Sequence, residues 1–294
     1  MQRLNIIGAG QVGQTLGYLW QQTGVLQLGE VLNASLESAQ SAVRFMGAGQ
    51  AVVHIDCMQP ANIYLLGCPD NHIQACCDTL AASGLLQAGQ VVFHCSGALP
   101  STLLASARSQ EAAIASLHPV KSFADPTRAV RSFKPTFCGM EGDTAALNVL
   151  KPLIQAIGGQ PFAIRSEQKT LYHAASVMAC NYLVALQEMS LQTFAQAGVE
   201  RELALQILQP IVQDTVQNLF ALGPTQALTG PIARGDSQVV ARQLQALQDW
   251  QPEMALAYQL LGRQTLVLAR QKGKAQAADL EQIATLLQHT ADTA

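Results

Sequence analysis

Charged residues are scarce in this sequence. Asp, Glu, Lys and Arg make up 13% of the 294 residues, and the formal net charge is -3. Because Lys and Arg neither predominate nor cluster, the sequence lacks the electrostatic pattern of proteins that bind nucleic acids or anionic membranes. Apolar residues reach 49%, which is enough to form a buried core in each of two domains. The composition therefore predicts a compact protein that acts on small molecules.

Three further signals are missing. None of the seven cysteines has CxxC spacing, so we expect neither a zinc site nor a disulfide framework. The uncharged stretch 170–187 contains Tyr, His, Ser, Asn and Gln, and we interpret it as a buried helix rather than a membrane span. The N-terminus lacks the basic start and the small-residue cleavage site of a signal peptide. We therefore expect a cytoplasmic protein with no metal ion.

A glycine pattern lies near the N-terminus, in the sequence "LNIIGAGQVGQTLGYLWQQTG". An apolar strand stops at the first glycine, a helix follows, and "LGEVLNAS" supplies a second strand, so the pattern lies inside a βαβ unit. Gly8 permits a tight turn, Gly10 lets a pyrophosphate approach the backbone, and Gly13 allows close packing of helix on strand. Gln11 and Val12 open the helix, whose N-terminal N–H groups suit phosphates. The unit predicts a dinucleotide site.

The end of the second strand indicates which dinucleotide binds. NAD sites usually carry Asp or Glu there for the ribose 2′-hydroxyl, whereas this strand ends at Asn33 and Ser35. We therefore predict NADP in preference to NAD, with Asn33 and Ser35 as ligands of the 2′-phosphate. The sequence does not identify a basic partner for that phosphate, because Arg44 lies nine residues beyond Ser35.

Strands and helices alternate up to residue 165 and then give way to helices alone. This order predicts an N-terminal α/β domain, a Rossmann-like doubly wound and mostly parallel sheet over residues 1–165. An all-α domain follows over residues 166–294. Its predicted helices cover residues 166–197, 201–221, 236–249, 251–272 and 276–290.

Ligands of open α/β sheets bind beyond the carboxyl ends of the strands. Pro69, Ser96 and Gly97 fall there and are predicted to contact the cofactor, and the Ser96 hydroxyl could also hold a substrate carboxylate. A glycine-assisted turn without a ligand is an equal alternative for Ser96 and Gly97. His118 precedes Pro119 and is therefore extended; we interpret it as a structural histidine in preference to a catalytic one.

The segment "SEQKTLYHAASVMACN" carries the main candidates for chemistry. On a helix, one arc of about 100° presents Lys169, Tyr172, His173, Ser176 and Cys180. We predict that Lys169 donates a proton during hydride transfer and that His173 orients the substrate or acts as an alternative acid, with Tyr172 beside them. An interdomain helix with incidental polar residues is the alternative. The opposite face is predicted to be packed core: Leu171, Ala174, Ala175, Met178 and Tyr182.

A second candidate lies in the loop "ALTGPIARGDSQVV". The guanidinium of Arg234 suits a substrate carboxylate, because its fork of donors matches two carboxylate oxygens. A salt bridge that fixes the loop is an equal alternative.

Six segments together resemble a known family: "IIGAGQVG", "HCSGAL", "SLHPVKSF", "LYHAASVMACNYLVAL", "ALTGPIARGD" and "YQLLGRQTLVLA". The chain resembles proteins that pair a Rossmann-like domain with domain of unknown function 2520, within the 6-phosphogluconate-dehydrogenase-like superfamily. The resemblance implies an oxidoreductase architecture whose C-terminal helices form a homodimer. In several members a helix carries Lys-x-x-x-Asn, and this chain has Lys169-x-x-x-His173 instead.

These observations lead to two functional expectations. The first is an NADP-dependent oxidoreductase that reduces a small 2-keto acid, similar to ketopantoate, or a cyclic imine. The second is a protein without catalysis, a nucleotide sensor or scaffold with a dimeric helical domain.

Overall fold

A computed structural model describes residues 1–288 of the chain. Its internal contacts divide the chain into two units, Met1–Asn181 and Tyr182–Ala294. Residues 166–181, which the sequence analysis placed at the start of the helical domain, belong by their contacts to the first unit. Lys169 is one reason, because its side chain is buried against the sheet.

The first unit contains one eight-stranded sheet in the order β3-β2-β1-β4-β5-β6-β7-β8. The strands are β1 (Gln2–Ile7), β2 (Leu26–Leu32), β3 (Gln50–Val52), β4 (Ile63–Leu66), β5 (Val91–His94), β6 (Ala113–Pro119), β7 (Thr136–Gly142) and β8 (Gly159–Ala163). All neighbours run parallel except β6 and β7, which are antiparallel. The predicted Rossmann-like, mostly parallel sheet is confirmed.

Helices cover the sheet of the first unit. They are α1 (Gln11–Thr23), α2 (Leu36–Met46), α3 (Ile73–Ala82), α4 (Ala105–Arg108), α5 (Pro126–Arg131), α6 (Thr144–Ala156) and α7 (Lys169–Ser176). Successive residues of a strand point to opposite faces, so Leu65 and Phe93 join one core while Tyr64 and Val92 join the other. Both faces of the central strands are therefore buried, which explains why those strands are continuous apolar runs.

Helices joined by short loops make up the described residues of the second unit. Its helices are α8 (Tyr182–Gln196), α9 (Arg201–Leu222), α10 (Pro224–Ala227), α11 (Pro231–Arg234), α12 (Ser237–Trp250), α13 (Pro252–Lys272) and α14 (Ala277–Leu286). They enclose a separate core around Val240, Leu266 and Ile283. The helical C-terminal region is confirmed; residues 289–290, predicted to end the last helix, lie outside the described residues. None of the helices described is long and apolar enough to span a bilayer.

The predicted continuous helix over residues 166–197 is interrupted. A 3-10 turn at Ser166–Gln168 precedes α7, and a π-helical segment, Val177–Asn181, separates α7 from α8. The extra residue per turn in a π segment shifts the helical phase, and π segments occur often at functional sites. The face predicted from an unbroken helix therefore holds for Lys169 to Ser176 and does not extend to Cys180, which is exposed.

Candidate active site

The glycine turn between β1 and α1 has the geometry that the sequence predicts. Gly8 adopts φ of +89°, and a Cβ there would lie 2.4 Å from the backbone nitrogen of Cys68, so only glycine fits. A Cβ at Gly10 would meet only the carbonyl oxygen of Gly67, at 3.9 Å, which leaves open space above the turn. No side chain caps the N-terminus of α1, so its first N–H groups remain available to an anion. The turn fits the pyrophosphate of a dinucleotide.

The two residues predicted to bind a 2′-phosphate have internal partners. The Asn33 side-chain oxygen accepts a hydrogen bond of 2.6 Å from the backbone N–H of Ala9, which fixes the glycine turn. The Ser35 hydroxyl oxygen accepts one of 3.2 Å from the N–H of Ser38 and thereby caps α2. Both side chains use acceptor atoms in these bonds, so the amide hydrogens of Asn33 and the hydroxyl hydrogen of Ser35 remain as donors.

Ser96 follows β5 and makes three hydrogen bonds through its hydroxyl. It donates to Oδ2 of Asp70 at 2.7 Å and accepts from the N–H groups of Ala98 at 3.2 Å and Leu99 at 3.0 Å. Its one hydrogen is therefore committed to the carboxylate, and the hydroxyl shapes the turn after β5. Pro69, directly before Asp70, begins the 3-10 turn Asp70–His72 at the end of β4.

Lys169, the predicted proton donor, is buried, with 1% of its side chain exposed. Its ammonium donates to the carbonyl oxygens of Ser96 at 2.8 Å and Leu99 at 2.5 Å, and to the hydroxyl of Ser116. The carboxylate of Glu141 lies 3.8 Å away. Burial lowers the pKa of Lys169 to about 8, and Glu141 opposes that shift.

Two histidines and a tyrosine gather around Gly97. Nδ1 of His118 lies 2.8 Å from the Tyr172 hydroxyl, and the ring centroids of His118 and His173 are 5.8 Å apart. A Cβ at Gly97 would lie 2.5 Å from Nδ1 of His173 and 2.8 Å from Nε2 of His118, so both nitrogens flank the glycine backbone. Nδ1 of His173 is buried and has no hydrogen-bond partner among the described residues. A buried nitrogen of this kind is expected to meet a partner in a ligand complex.

Burial sets the protonation states in this cluster. Burial, with smaller electrostatic contributions from His173 and Lys169, lowers the pKa of His118 to about 4. It also raises the pKa of Tyr172 to about 12. At neutral pH the imidazole of His118 is therefore uncharged and the phenol keeps its proton.

His94 serves as a contrast, because both of its ring nitrogens have partners. Nδ1 accepts from the N–H of Ser96 at 3.1 Å, and Nε2 lies 3.3 Å from the carbonyl oxygen of Pro100. Burial, reinforced by Lys169, lowers the pKa of His94 to about 3. His94 is thus a structural histidine, whereas Nε2 of His118 makes no such bond within residues 1–288.

Sequence reasoning gave no role to three polar partners of the site: Asp70, Ser116 and Glu141. His118 was predicted to be structural. Its position at the carboxyl end of β6, directly before Pro119, was the available signal. Glu141 lies in β7, where no motif marks it; only the fold brings it to Lys169.

The face of the helix opposite Lys169 was predicted to be packed core, and this prediction is wrong. Leu171 is 69% exposed, Met178 66% and Tyr182 60%, and Ala174 and Ala175 are exposed as well. The helical period was right, but no element in the described part of the chain covers this face. Exposed apolar surface of this size commonly marks a contact with another protein.

Arg234 lies in the second unit, at the end of α11, and 63% of its side chain is exposed. It forms a salt bridge with Asp236, with Nη2 2.8 Å and Nε 2.9 Å from Oδ2. The loop-fixing role is therefore present, and the role as a carboxylate anchor stays a prediction.

The chain matches two family models. Residues 2–119 match the model of a Rossmann-like domain, which is the class that the sheet and glycine turn define. Residues 136–265 match the model described as "Domain of unknown function (DUF2520)". The chain therefore combines a Rossmann-like domain with a DUF2520 domain. No curated protein matches its sequence.

Several solved structures share the fold. Protein TM1727 from Thermotoga maritima is 26% identical, with a TM-score of 0.72 over 92% of this chain and 99% of that one. BF3122 from Bacteroides fragilis, provisionally named an NADP oxidoreductase, is 20% identical, with a TM-score of 0.71 over 90% and 97%. Pyrroline carboxylate reductase from Plasmodium falciparum, solved with NADP bound, is 11% identical, with a TM-score of 0.55 over 98% of each chain.

Proposed function

We propose that this protein is an oxidoreductase that uses NADP to reduce a small 2-keto acid or a cyclic imine. The observation that carries the proposal is the chemistry at the carboxyl edge of the sheet. The glycine turn follows β1, and the polar cluster around Gly97 follows β5 and β6, so both lie where ligands of open α/β sheets bind.

The first unit supplies the groups that would hold the dinucleotide. The open backbone at Gly10 and the uncapped N-terminus of α1 suit its pyrophosphate. The free donors of Asn33 and Ser35 suit a 2′-phosphate, and the absence of a carboxylate at either position favours NADP over NAD. When bound, the reduced nicotinamide supplies a hydride.

The polar cluster around Gly97 supplies the donors that the reduction of a carbonyl or imine requires. His173 is the proposed acid or orienting group, since its buried Nδ1 is without a partner among the described residues. Lys169 as the proton donor also stays a proposal, although a substrate would have to displace one of three protein acceptors to reach its ammonium. Arg234 is the proposed anchor for a substrate carboxylate.

Two assays test the proposal. The first follows the loss of NADPH absorbance with a panel of 2-keto acids and cyclic imines, and we expect turnover with at least one compound. The second compares Lys169→Ala with the wild type; proton donation by Lys169 predicts retained NADPH binding and lost turnover. Turnover unchanged in Lys169→Ala removes lysine from the mechanism. NADPH binding without any turnover across the panel favours the sensor or scaffold instead.

We also propose that the helical unit forms a homodimer. Helices α8 and α9 expose large apolar side chains, including Val184 at 71%, Ile211 at 56% and Phe220 at 84%. A second copy of the chain would remove this surface from water, and dimer interfaces of this kind are typically apolar. Light scattering after size exclusion should give twice the 31.3 kDa chain mass, and Phe220→Glu should shift the protein toward the monomer. A wild-type monomer at micromolar concentration rules the dimer out.

A further inference from the structure

All three hydrogens of the Lys169 ammonium are directed to protein acceptors. A lysine ammonium carries three N–H donors, and the three are directed to the carbonyl oxygens of Ser96 and Leu99 and the hydroxyl of Ser116. These acceptors lie in the turn after β5 and in β6. Lys169 thus connects α7 to that turn, and this connection sets where the next residues of α7 lie.

One turn further along α7, Tyr172 meets His118. The Tyr172 hydroxyl makes a single hydrogen bond among the described residues, the one of 2.8 Å to Nδ1 of His118. The hydroxyl hydrogen has no other acceptor among the described residues, so the hydroxyl is assigned as the donor and Nδ1 as the acceptor. A neutral imidazole that accepts at Nδ1 carries its hydrogen on Nε2. The bond to Tyr172 therefore selects the Nε2–H tautomer of His118.

The selected hydrogen lies at the turn where the cofactor and substrate are proposed to meet. Nε2 of His118 has no partner among the described residues, and it is directed to Gly97, beside the unpartnered Nδ1 of His173. The contrast with His94 is informative, because both nitrogens of that histidine are bonded within the turn. The absence of a side chain at residue 97 leaves room for the two imidazoles.

On this geometry, and resting on the proposed function, we propose that His118 is a catalytic residue. Its neutral Nε2–H donates a hydrogen bond to the reacting oxygen or nitrogen of the substrate, where negative charge develops as the adjacent carbon is reduced. Tyr172 is a positioning residue that fixes the tautomer, and the three hydrogen bonds of Lys169 hold α7 where Tyr172 reaches His118. A preorganised donor of this kind stabilises developing charge without reorganisation during the reaction.

Two matched variants separate the hydrogen bonds of the two ring nitrogens. In His118→Asn the side-chain amide oxygen reaches about as far as Nδ1 and can accept from the Tyr172 hydroxyl, while the outer donor is lost. In His118→Gln the amide nitrogen reaches about as far as Nε2 and restores the outer donor. We expect kcat to fall about 100-fold or more in His118→Asn. The kcat of His118→Gln should be at least about 10-fold higher than that of His118→Asn.

The NADPH affinity of both variants should stay within about threefold of the wild type, measured by calorimetry. If His118→Asn and His118→Gln lose NADPH affinity or thermal stability to the same extent and have the same kcat, the role of His118 is purely structural. That result overturns the proposal. If the wild type reduces a compound of the panel and His118→Asn retains full kcat, the proposal fails while the proposed function stands. If the wild type reduces nothing, the proposed function fails first and His118 loses its catalytic role with it.

A second readout needs no substrate. Nitrogen-15 NMR correlates each ring nitrogen with the carbon-bound ring hydrogens and so reports the tautomer of a histidine. We expect the Nε2–H tautomer for His118 in the wild type at pH 7, with and without NADPH, and a mixture of tautomers in Tyr172→Phe. The Nδ1–H tautomer in the wild type, or no change in Tyr172→Phe, overturns the assignment of Tyr172 and His118 whatever the turnover.

Discussion

The hydroxyl of Tyr172 lies 2.8 Å from Nδ1 of His118, across 54 positions of sequence. The histidine lies at the carboxyl end of β6 and the tyrosine in α7, so this bond forms only when the sheet and the helix are both in place. Lys169 holds α7 against the turn after β5. The structure thereby joins a strand end, a turn and a helix into one polar cluster.

The burial of Lys169 beside Glu141 predicts a large effect on stability. Lys169→Met removes the ammonium and leaves the Glu141 carboxylate buried with Ser101 as its hydrogen-bonding partner. We expect the free energy of unfolding to fall by about 3–5 kcal/mol, as when one partner of a buried ion pair is removed. Urea denaturation measures the change.

The double variant Lys169→Met/Glu141→Gln is the control for that pair. A neutral amide no longer needs a counter-charge, so the double variant should lose less stability than the two single variants added together. Additive losses would mean that Lys169 and Glu141 do not interact energetically.

The buried histidines predict how stability depends on pH. The pKa of His118 falls to about 4 in the folded protein and that of His94 to about 3, whereas in an unfolded chain both lie near 6.5. Below pH 6.5 the unfolded chain therefore binds more protons, and acid destabilises the fold. We expect the free energy of unfolding to drop by about 2 kcal/mol for each of these histidines between pH 7 and pH 5.

His118→Gln isolates the contribution of His118 to the pH dependence of stability from that of His94. Glutamine does not titrate, so the drop in unfolding free energy from pH 7 to pH 5 should be smaller in His118→Gln by about 2 kcal/mol. Denaturation curves at the two pH values give the comparison. An identical drop in variant and wild type would show that the His118 imidazole is not held neutral by the fold.

The hydrogen bond between Ala9 and Asn33 offers a test of cofactor choice. Asn33→Asp preserves the acceptor for the Ala9 N–H and adds a negative charge where a 2′-phosphate would lie. We expect NADPH affinity to fall about 10-fold or more while NADH affinity stays equal or rises. Calorimetry with both nucleotides measures the ratio, and an unchanged preference would place the 2′-phosphate away from Asn33.

Local sequence patterns were sufficient for most of the fold. The Gly8 turn, the buried strands β4 and β5 and the helices α12 and α13 all follow from short-range signals: glycine positions, apolar runs and helical periodicity. The π segment Val177–Asn181 could not be predicted from such signals, because no feature of the composition marks a change of helical phase.

The chemistry of the candidate site was harder to predict. Sequence identifies Lys169, Tyr172 and His173 as polar residues on one helical face, but it does not show that Lys169 lies against Ser116 and Glu141. Those partners come from distant strands, and they decide whether the Lys169 ammonium can donate a hydrogen to a substrate. For the same reason Leu171 was expected in the core: periodicity finds an apolar face without showing what covers it.

The central claim is that the glycine turn binds NADPH, and Gly10→Ala tests it most directly. The added methyl group meets nothing closer than the Gly67 carbonyl oxygen at 3.9 Å, so the free energy of unfolding should change by less than about 1 kcal/mol. Calorimetric titration should give micromolar NADPH binding to the wild type, weaker NADH binding, and at least a tenfold loss of NADPH affinity in Gly10→Ala. Absence of NADPH binding to the wild type, or unchanged affinity in the variant, would contradict the account.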